Sequence, residues 1–161
     1  MRRMKITVAA LCVVGALVPV GCGFTASPAD GLRFQAPPNW QSSPGIMGFM
    51  QFWRPPSGRG EALMLFKSPK TLRPSDVLSS GTMGGGLKSI SVRNETGTKI
   101  CGDQPATFLD GTAKNDRGDA IVDMMLTNVK GTSYMAMYVY PVDRAPNPLA
   151  IAALREICAK S

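Results

Sequence analysis

Ala62-Leu63-Met64-Leu65-Phe66 is apolar at every position, and that pattern limits the fold more than any other feature of the chain. Side chains alternate across a strand, so a strand that is apolar on both parities must be covered on both faces. The pattern returns near the C-terminus. There Tyr134, Ala136, Tyr138 and Tyr140 fall on one parity, and Met135, Met137 and Val139 on the other. Two such strands belong at the centre of one sheet with material packed above and below it.

The surrounding sequence supplies the rest of that sheet. Strands are expected at Leu32 to Gln35, halted by Pro37 and Pro38, then at Met47 to Arg54 and Glu61 to Lys67 around a Pro55-Pro56-Ser57-Gly58 turn. An antiparallel meander follows over Lys88 to Ile100, Gln104 to Lys114, Asp119 to Asn128 and Thr132 to Tyr140. Its turns fall at Gly102-Asp103, Asn115 to Gly118 and Lys130-Gly131. Pro74 to Leu78 reads as a short helix, ended by Gly81 and the Gly84-Gly85-Gly86 run. The last helix is capped by Asn147 with Pro148 at its first position, and Ile151, Leu154, Ile157 and Cys158 fall on one stripe. The expected class is α+β: an antiparallel sheet sandwiched by helices, with the C-terminal helix packed on it.

The N-terminus carries an address. Arg2, Arg3 and Lys5 precede a 15-residue apolar run, Ile6 to Val20, too short for a first reading as a membrane span, and the run closes on Gly21 and Cys22. Pro19-Val20-Gly21-Cys22 resembles a bacterial lipoprotein signal, cut before a cysteine that becomes acylated; Pro19 departs from the leucine usual there. The competing readings are cleavage after Ala26 or Ala29, and an uncleaved anchor. The chain therefore divides into a signal peptide (1–21), a flexible tether (22–31) rich in small and polar residues, and one domain (32–161). The formal charge of +7 falls to +4 once Arg2, Arg3 and Lys5 leave. That mild excess does not suit a nucleic-acid binder. Arg54, Arg59, Lys67, Lys70 and Arg73 crowd one stretch; they read as solvated loop ends, or as a weak attraction to anionic lipid or cell-wall polymer near the anchor.

The cysteines sort by compartment. Cys12 leaves with the signal and Cys22 takes the lipid, which leaves Cys101 and Cys158 as an even pair in an oxidising space. A structural disulfide between them is the expectation, ahead of two buried thiols. No Cys-x-x-Cys spacing supports a redox pair. With Cys158 on the sheet-facing stripe of the last helix and Cys101 at a strand end, the bridge would pin that helix to the sheet.

Chemistry is limited by the lack of any histidine. Triads that use a histidine base and histidine zinc sites are excluded. Carboxylates remain: Asp103, Asp110, Asp116, Asp119 and Asp123 cluster in the meander, mostly at expected turns, where aspartate serves backbone geometry. Asn115, Asp116 and Asp119 lack the alternating spacing of a calcium loop. Gly81 to Ser89 has the composition of a phosphate loop, but Leu87 separates Gly86 from Lys88. Arg117-Gly118-Asp119 is an adhesion-type tripeptide that a hairpin tip explains. Met47, Met50, Met64, Met83, Met124, Met125, Met135 and Met137 give the domain eight thioethers, which suit core filling or, in an exported protein, Cu(I). Trp40 and Trp53 are candidate partner contacts, with core packing the reading ahead of that one. No cofactor and no metal is expected.

Four pieces in this order resemble the fold family shared by the photosystem extrinsic protein PsbP, the yeast Mog nuclear-import factor and small bacterial lipoproteins of the LpqN kind. They are Gly31-Leu32-Arg33-Phe34-Gln35-Ala36-Pro37-Pro38-Asn39-Trp40, Gly102-Asp103-Gln104-Pro105-Ala106 before a long hairpin, the Tyr134 to Tyr140 strand and the terminal helix. The resemblance covers about residues 31–159. It implies an antiparallel sheet between helices and a docking or assembly role with no chemistry of its own; it supplies no catalytic residues. The expected function is that of an exported, lipid-anchored envelope protein acting as a non-catalytic binding or assembly module. Its expected partners are the membrane, through the lipid, and another envelope protein. The alternatives are a methionine-based Cu(I) binder and a small carboxylate-dependent enzyme.

Overall fold

The computed structural model describes residues 31–45, 49–58, 60–79, 87 and 89–159. The signal segment, Cys12, Cys22, most of the tether, Met47, Arg59, Met83, Lys88 and most of the glycine-rich stretch lie outside the described residues.

Seven strands form one antiparallel sheet in the order β2-β3-β4-β8-β7-β6-β5. They are β2 (Gln41–Pro44), β3 (Phe49–Arg54), β4 (Ala62–Ser68), β5 (Ser89–Ile100), β6 (Gln104–Asn115), β7 (Gly118–Val129) and β8 (Thr132–Pro141). Leu32–Arg33 (β1) pairs separately with Cys158–Ala159 (β9). Two helices complete the fold, α1 (Pro74–Ser79) and α2 (Pro148–Arg155). After α1 the chain lays down β5 to β8 in sequence, and β8 closes against β4 in the register Leu63↔Tyr138 and Met64↔Met137.

The two doubly apolar strands are the adjacent central ones, as their pattern requires. Tyr138, Ala136, Leu63, Leu65 and Trp53 bury under α2, whose Ala150, Ala153 and Leu154 pack onto them. Met64, Met124, Met135, Met137 and Leu109 bury on the opposite face, where Val77 of α1 joins them. Fully burying one such side chain is worth about 1.5–3 kcal/mol, so each face contributes strongly. The α+β sheet with helices on its faces is therefore the observed architecture.

Three local expectations are corrected. The first strand ends at Arg33 rather than Gln35, and Gln41–Pro44, all exposed, forms an additional edge strand. Its residues carry no apolar alternation; backbone pairing to β3 alone makes it a strand. The last helix stops at Arg155. Glu156 closes the final turn by donating its N–H to the Ala153 carbonyl at 3.3 Å. Ile157 and Cys158 continue past it, buried, into β9, so Cys158 is not on the helical stripe.

The segment between β4 and α1 is tied down by a buried hydroxyl. Ser133 Oγ accepts from the Leu72 N–H at 2.7 Å and donates to the Lys70 carbonyl, while also bonding the Asn128 amide oxygen.

Candidate functional site

Cys101 and Cys158 are joined, with their Cα atoms 5.8 Å apart. The bridge ties the β5–β6 turn to β9, and through it to β1, rather than to the helix.

The five clustered aspartates separate. Asp116 falls in the β6–β7 turn and Asp119 at the start of β7; Asp103, in the β5–β6 turn, is exposed and bonds Lys99 Nζ at 3.2 Å. Asp110 and Asp123 are instead mid-strand and directly opposite one another across β6 and β7. The expected strands Gln104 to Lys114 and Asp119 to Asn128 already contain these two; what they did not show is that the two carboxylates pair across the strands. Asp110 is consumed by its neighbours: Arg93 Nε donates to one oxygen at 3.1 Å and Asn94 Nδ2 to the other at 2.7 Å. Arg93 is the extra residue of a β-bulge between Val92 and Asn94. Asp123 is 7% exposed. Burial raises its pKa above the ordinary 3.8, opposed by a hydrogen bond with the Tyr140 hydroxyl and reinforced by the Asp110 charge. Tyr140 is pushed up to about 12, chiefly by burial and then by the Asp123 charge.

Beside this pair, Tyr138 stacks on Tyr140 with ring centroids 4.8 Å apart. Its hydroxyl donates to Glu61 Oε2 at 3.0 Å and accepts from the Asn147 N–H at 3.0 Å. Asn147 Oδ1 in turn accepts from the Leu149 N–H at 3.0 Å. A central strand thereby fixes the start of α2. Burial is the main cause of the raised Tyr138 pKa.

The tryptophans differ in fate. Trp40 is half-buried, with its ring 6.3 Å from that of Tyr138. Trp53 is 1% exposed, lies 5.0 Å from the Phe34 ring and belongs to the core under α2. Its assignment as a contact residue is corrected: position 53 of β3 pairs with Leu63 and faces inward.

A cleft of about 380 Å³ opens at one end of the sheet, between the β3–β4 and β6–β7 turns. Phe52, Met64, Leu87 and Val139 give it an apolar floor, and Arg54, Glu61, Asp116 and Arg117 are its charged rim. Its volume is at the small end of ordinary ligand sites, about 300–1,000 Å³. The Arg117 N–H bonds Asn115 Oδ1 at 2.7 Å, which shapes the β6–β7 turn, so Arg117-Gly118-Asp119 is hairpin geometry. Nothing in the linear sequence marked this cleft, because its walls come from two turns more than 50 residues apart. Among the described residues no group of three or more Cys, Asp or Glu side chains could hold a metal ion.

The methionines form a different grouping. Met64, Met137 and Met124 sit in one cross-strand row over β4, β8 and β7, with Met135 two residues from Met137 on the same face. All four are at most 3% exposed.

No protein-family model matches the chain, and no curated protein matches it. Among solved structures it is similar to the solution structure of cyanobacterial PsbP (CyanoP) from Synechocystis, with a TM-score of 0.65 at 17% sequence identity. The likeness covers 91% of this chain and 98% of that one. The fold is PsbP-like.

Proposed function

We propose that this is an exported protein, held at the bacterial cell envelope by a lipid on Cys22, that works as a binding or assembly module without chemistry of its own. The observation that carries the reading is the state of the in-strand aspartates. Both oxygens of Asp110 are taken by Arg93 and Asn94, and Asp123 is buried against Tyr140. A general acid or base must reach a substrate proton directly or through one water, and Asp110, bonded at both oxygens, and Asp123, buried, are not placed to do so. The disulfide suits an oxidising compartment, and the PsbP-like fold agrees with a docking role. The test is crosslinking in native membranes, with the full chain against Cys22→Ser. A captured partner and release of Cys22→Ser from the membrane fraction support the reading. Turnover of a substrate that is lost in Asp110→Asn while the fold persists would overturn it in favour of an enzyme.

A second reading, Cu(I) binding, draws on the Met64, Met137 and Met124 row. Met137→Leu separates it from core filling, since it keeps volume and removes the thioether. Cu(I) affinity against a competing chelator should collapse in that variant, and equal affinity would end the reading.

A further inference from the structure

Among the described residues the two ends of the sheet differ in charge, and residue 31 leads in at the basic one. Residue 31 leads into β1, which pairs with β9 beside the Cys101–Cys158 bridge, and a Cβ on Gly31 would lie 3.7 Å from the Tyr134 hydroxyl near the start of β8. The end of β4, the β5–β6 turn and the β7–β8 turn share that end of the sheet. Around it stand Arg33, Lys67, Lys70, Arg73, Lys99 and Lys130, against Asp76 and Asp103. Arg155 and Glu156, in the last turn of α2, cancel. The opposite, cleft end is balanced among the described residues: Arg54, Lys114, Arg117 and Arg144 against Glu61, Asp116, Asp119 and Asp143. The five basic residues that crowd one stretch of sequence therefore do not form one patch. Arg54 lies at the cleft end, while Lys67, Lys70 and Arg73 gain Lys99 and Lys130 from strands far along the chain.

We propose that the disulfide end is a docking surface for an anionic lipid bilayer, seating the domain on its own membrane with the cleft pointing away. This rests on the reading of Cys22 as the lipidated residue. On the tether reading of residues 22–31, a flexible chain of ten residues has an end-to-end distance of about 16–19 Å, so the end it enters is the end held nearest the lipid. That span is about two Debye lengths of about 8 Å at physiological salt, so the tether lets this end reach the surface and the basic side chains act once it is there. A basic cluster beside an anchor is the second signal that makes a singly anchored protein stay on an anionic surface.

The experiment uses the exported form, residues 22–161 carrying Cys22→Ser, so that neither lipid nor the basic, apolar signal segment contributes, and measures co-sedimentation with vesicles. Binding is expected to phosphatidylglycerol-containing vesicles, not to pure phosphatidylcholine, and should be lost at 0.5 M salt. Each near-surface basic side chain contributes about fivefold in partitioning. Lys70→Gln with Lys130→Gln should therefore weaken binding about 25-fold, while Arg54→Gln with Arg117→Gln changes it less than twofold. All four side chains are exposed, so the fold is kept. Equal binding to neutral vesicles, no binding to either, or an equal loss from the cleft-end pair would overturn the proposal. If that happens while the unmodified chain still fractionates with membranes and Cys22→Ser does not, the anchor stands and only the docking surface falls.

Discussion

Replacing Cys101 and Cys158 together by alanine removes a crosslink that closes 57 residues of chain. In the chain-entropy account, a loop of that length restricts the unfolded ensemble by about 14 cal/mol/K, or about 4 kcal/mol at 25 °C. The native side of the balance changes little. β9 loses its tie to the β5–β6 turn, but Ile157 and Leu154 stay buried under the same sheet. The Tyr138 hydroxyl still holds the Asn147 N–H that starts α2. Most of the loss should therefore arise from the unfolded chain, and it should carry a signature. Without the crosslink that chain expands, so the urea m-value rises while the midpoint falls. At an m near 2 kcal/mol/M, a loss of about 4 kcal/mol moves the midpoint down by about 2 M. The assay is urea unfolding followed by tryptophan fluorescence, which Trp53 reports from the core. A loss under about 1 kcal/mol with m unchanged would refute the reasoning, as would finding both thiols of the exported protein open to alkylation. The β1 amides give a second readout, since hydrogen exchange there should accelerate before the central strands are affected.

Substitutions at four further positions probe the two faces and the bulged strand pair. Asp123 has a raised pKa in the folded protein, so its ionisation costs stability. That cost is absent below the unfolded-state value near 3.8, grows as pH rises towards the folded pKa, and stays above it. Asp123→Asn should therefore melt higher than the parent at pH 7.5 and lose that advantage at pH 3; thermal melts with the same gain at both pH values would contradict the sign. Gly111→Ala would put a Cβ 2.4 Å from the Ser91 carbonyl beside the bulge and should cost about 1–3 kcal/mol in urea unfolding. Gly97→Ala, with nothing within 4 Å, should be neutral or slightly stabilising in the same measurement. Met137→Ala, emptying the centre of the face opposite α2, should cost about 2–5 kcal/mol by the same titration, with Met137→Leu under about 1.5.

The central strands were legible because burial on both faces leaves a dense mark. Residues 62–66 and 134–140 had no other way to be satisfied, and they sit side by side in the sheet. Gln41–Pro44 left no mark, because an edge strand held by backbone bonds needs no particular side chains. The end of α2 misled for a related reason: Ile157 and Cys158 are buried like helical core residues, but through a turn and a strand that happen to extend the helical spacing. The cysteine pair was legible from counting, while its anchoring of β9 rather than a helix was not. Asp110 and Asp123 fell within expected strands, but nothing in the sequence set their register. Only the β6–β7 register shows them facing each other, with Arg93 brought in by a bulge that sequence does not announce.

That placement limits where a partner can act. The centre of the sheet is buried on both sides, under α2 on one and under Val77 of α1 with Leu72 and Leu87 on the other, so among the described residues neither face offers a broad free surface there. Of the two edges, β2 is four residues long and closes on Pro44, which has no N–H to give. β5 is longer but carries Glu95 and Lys99 and is bent by the Arg93 bulge, the devices that keep edges from pairing. What remains are the two ends. One carries the tether entry, the bridge and the excess of lysine; the other carries an apolar-floored cleft between two hairpin turns with arginines at its rim. A protein seated by the first presents the second to whatever lies beyond the membrane surface. The residues whose loss should cost partner binding without costing the fold are therefore those of the cleft rim, Arg54 and Arg117, not the aspartates that first suggested a site.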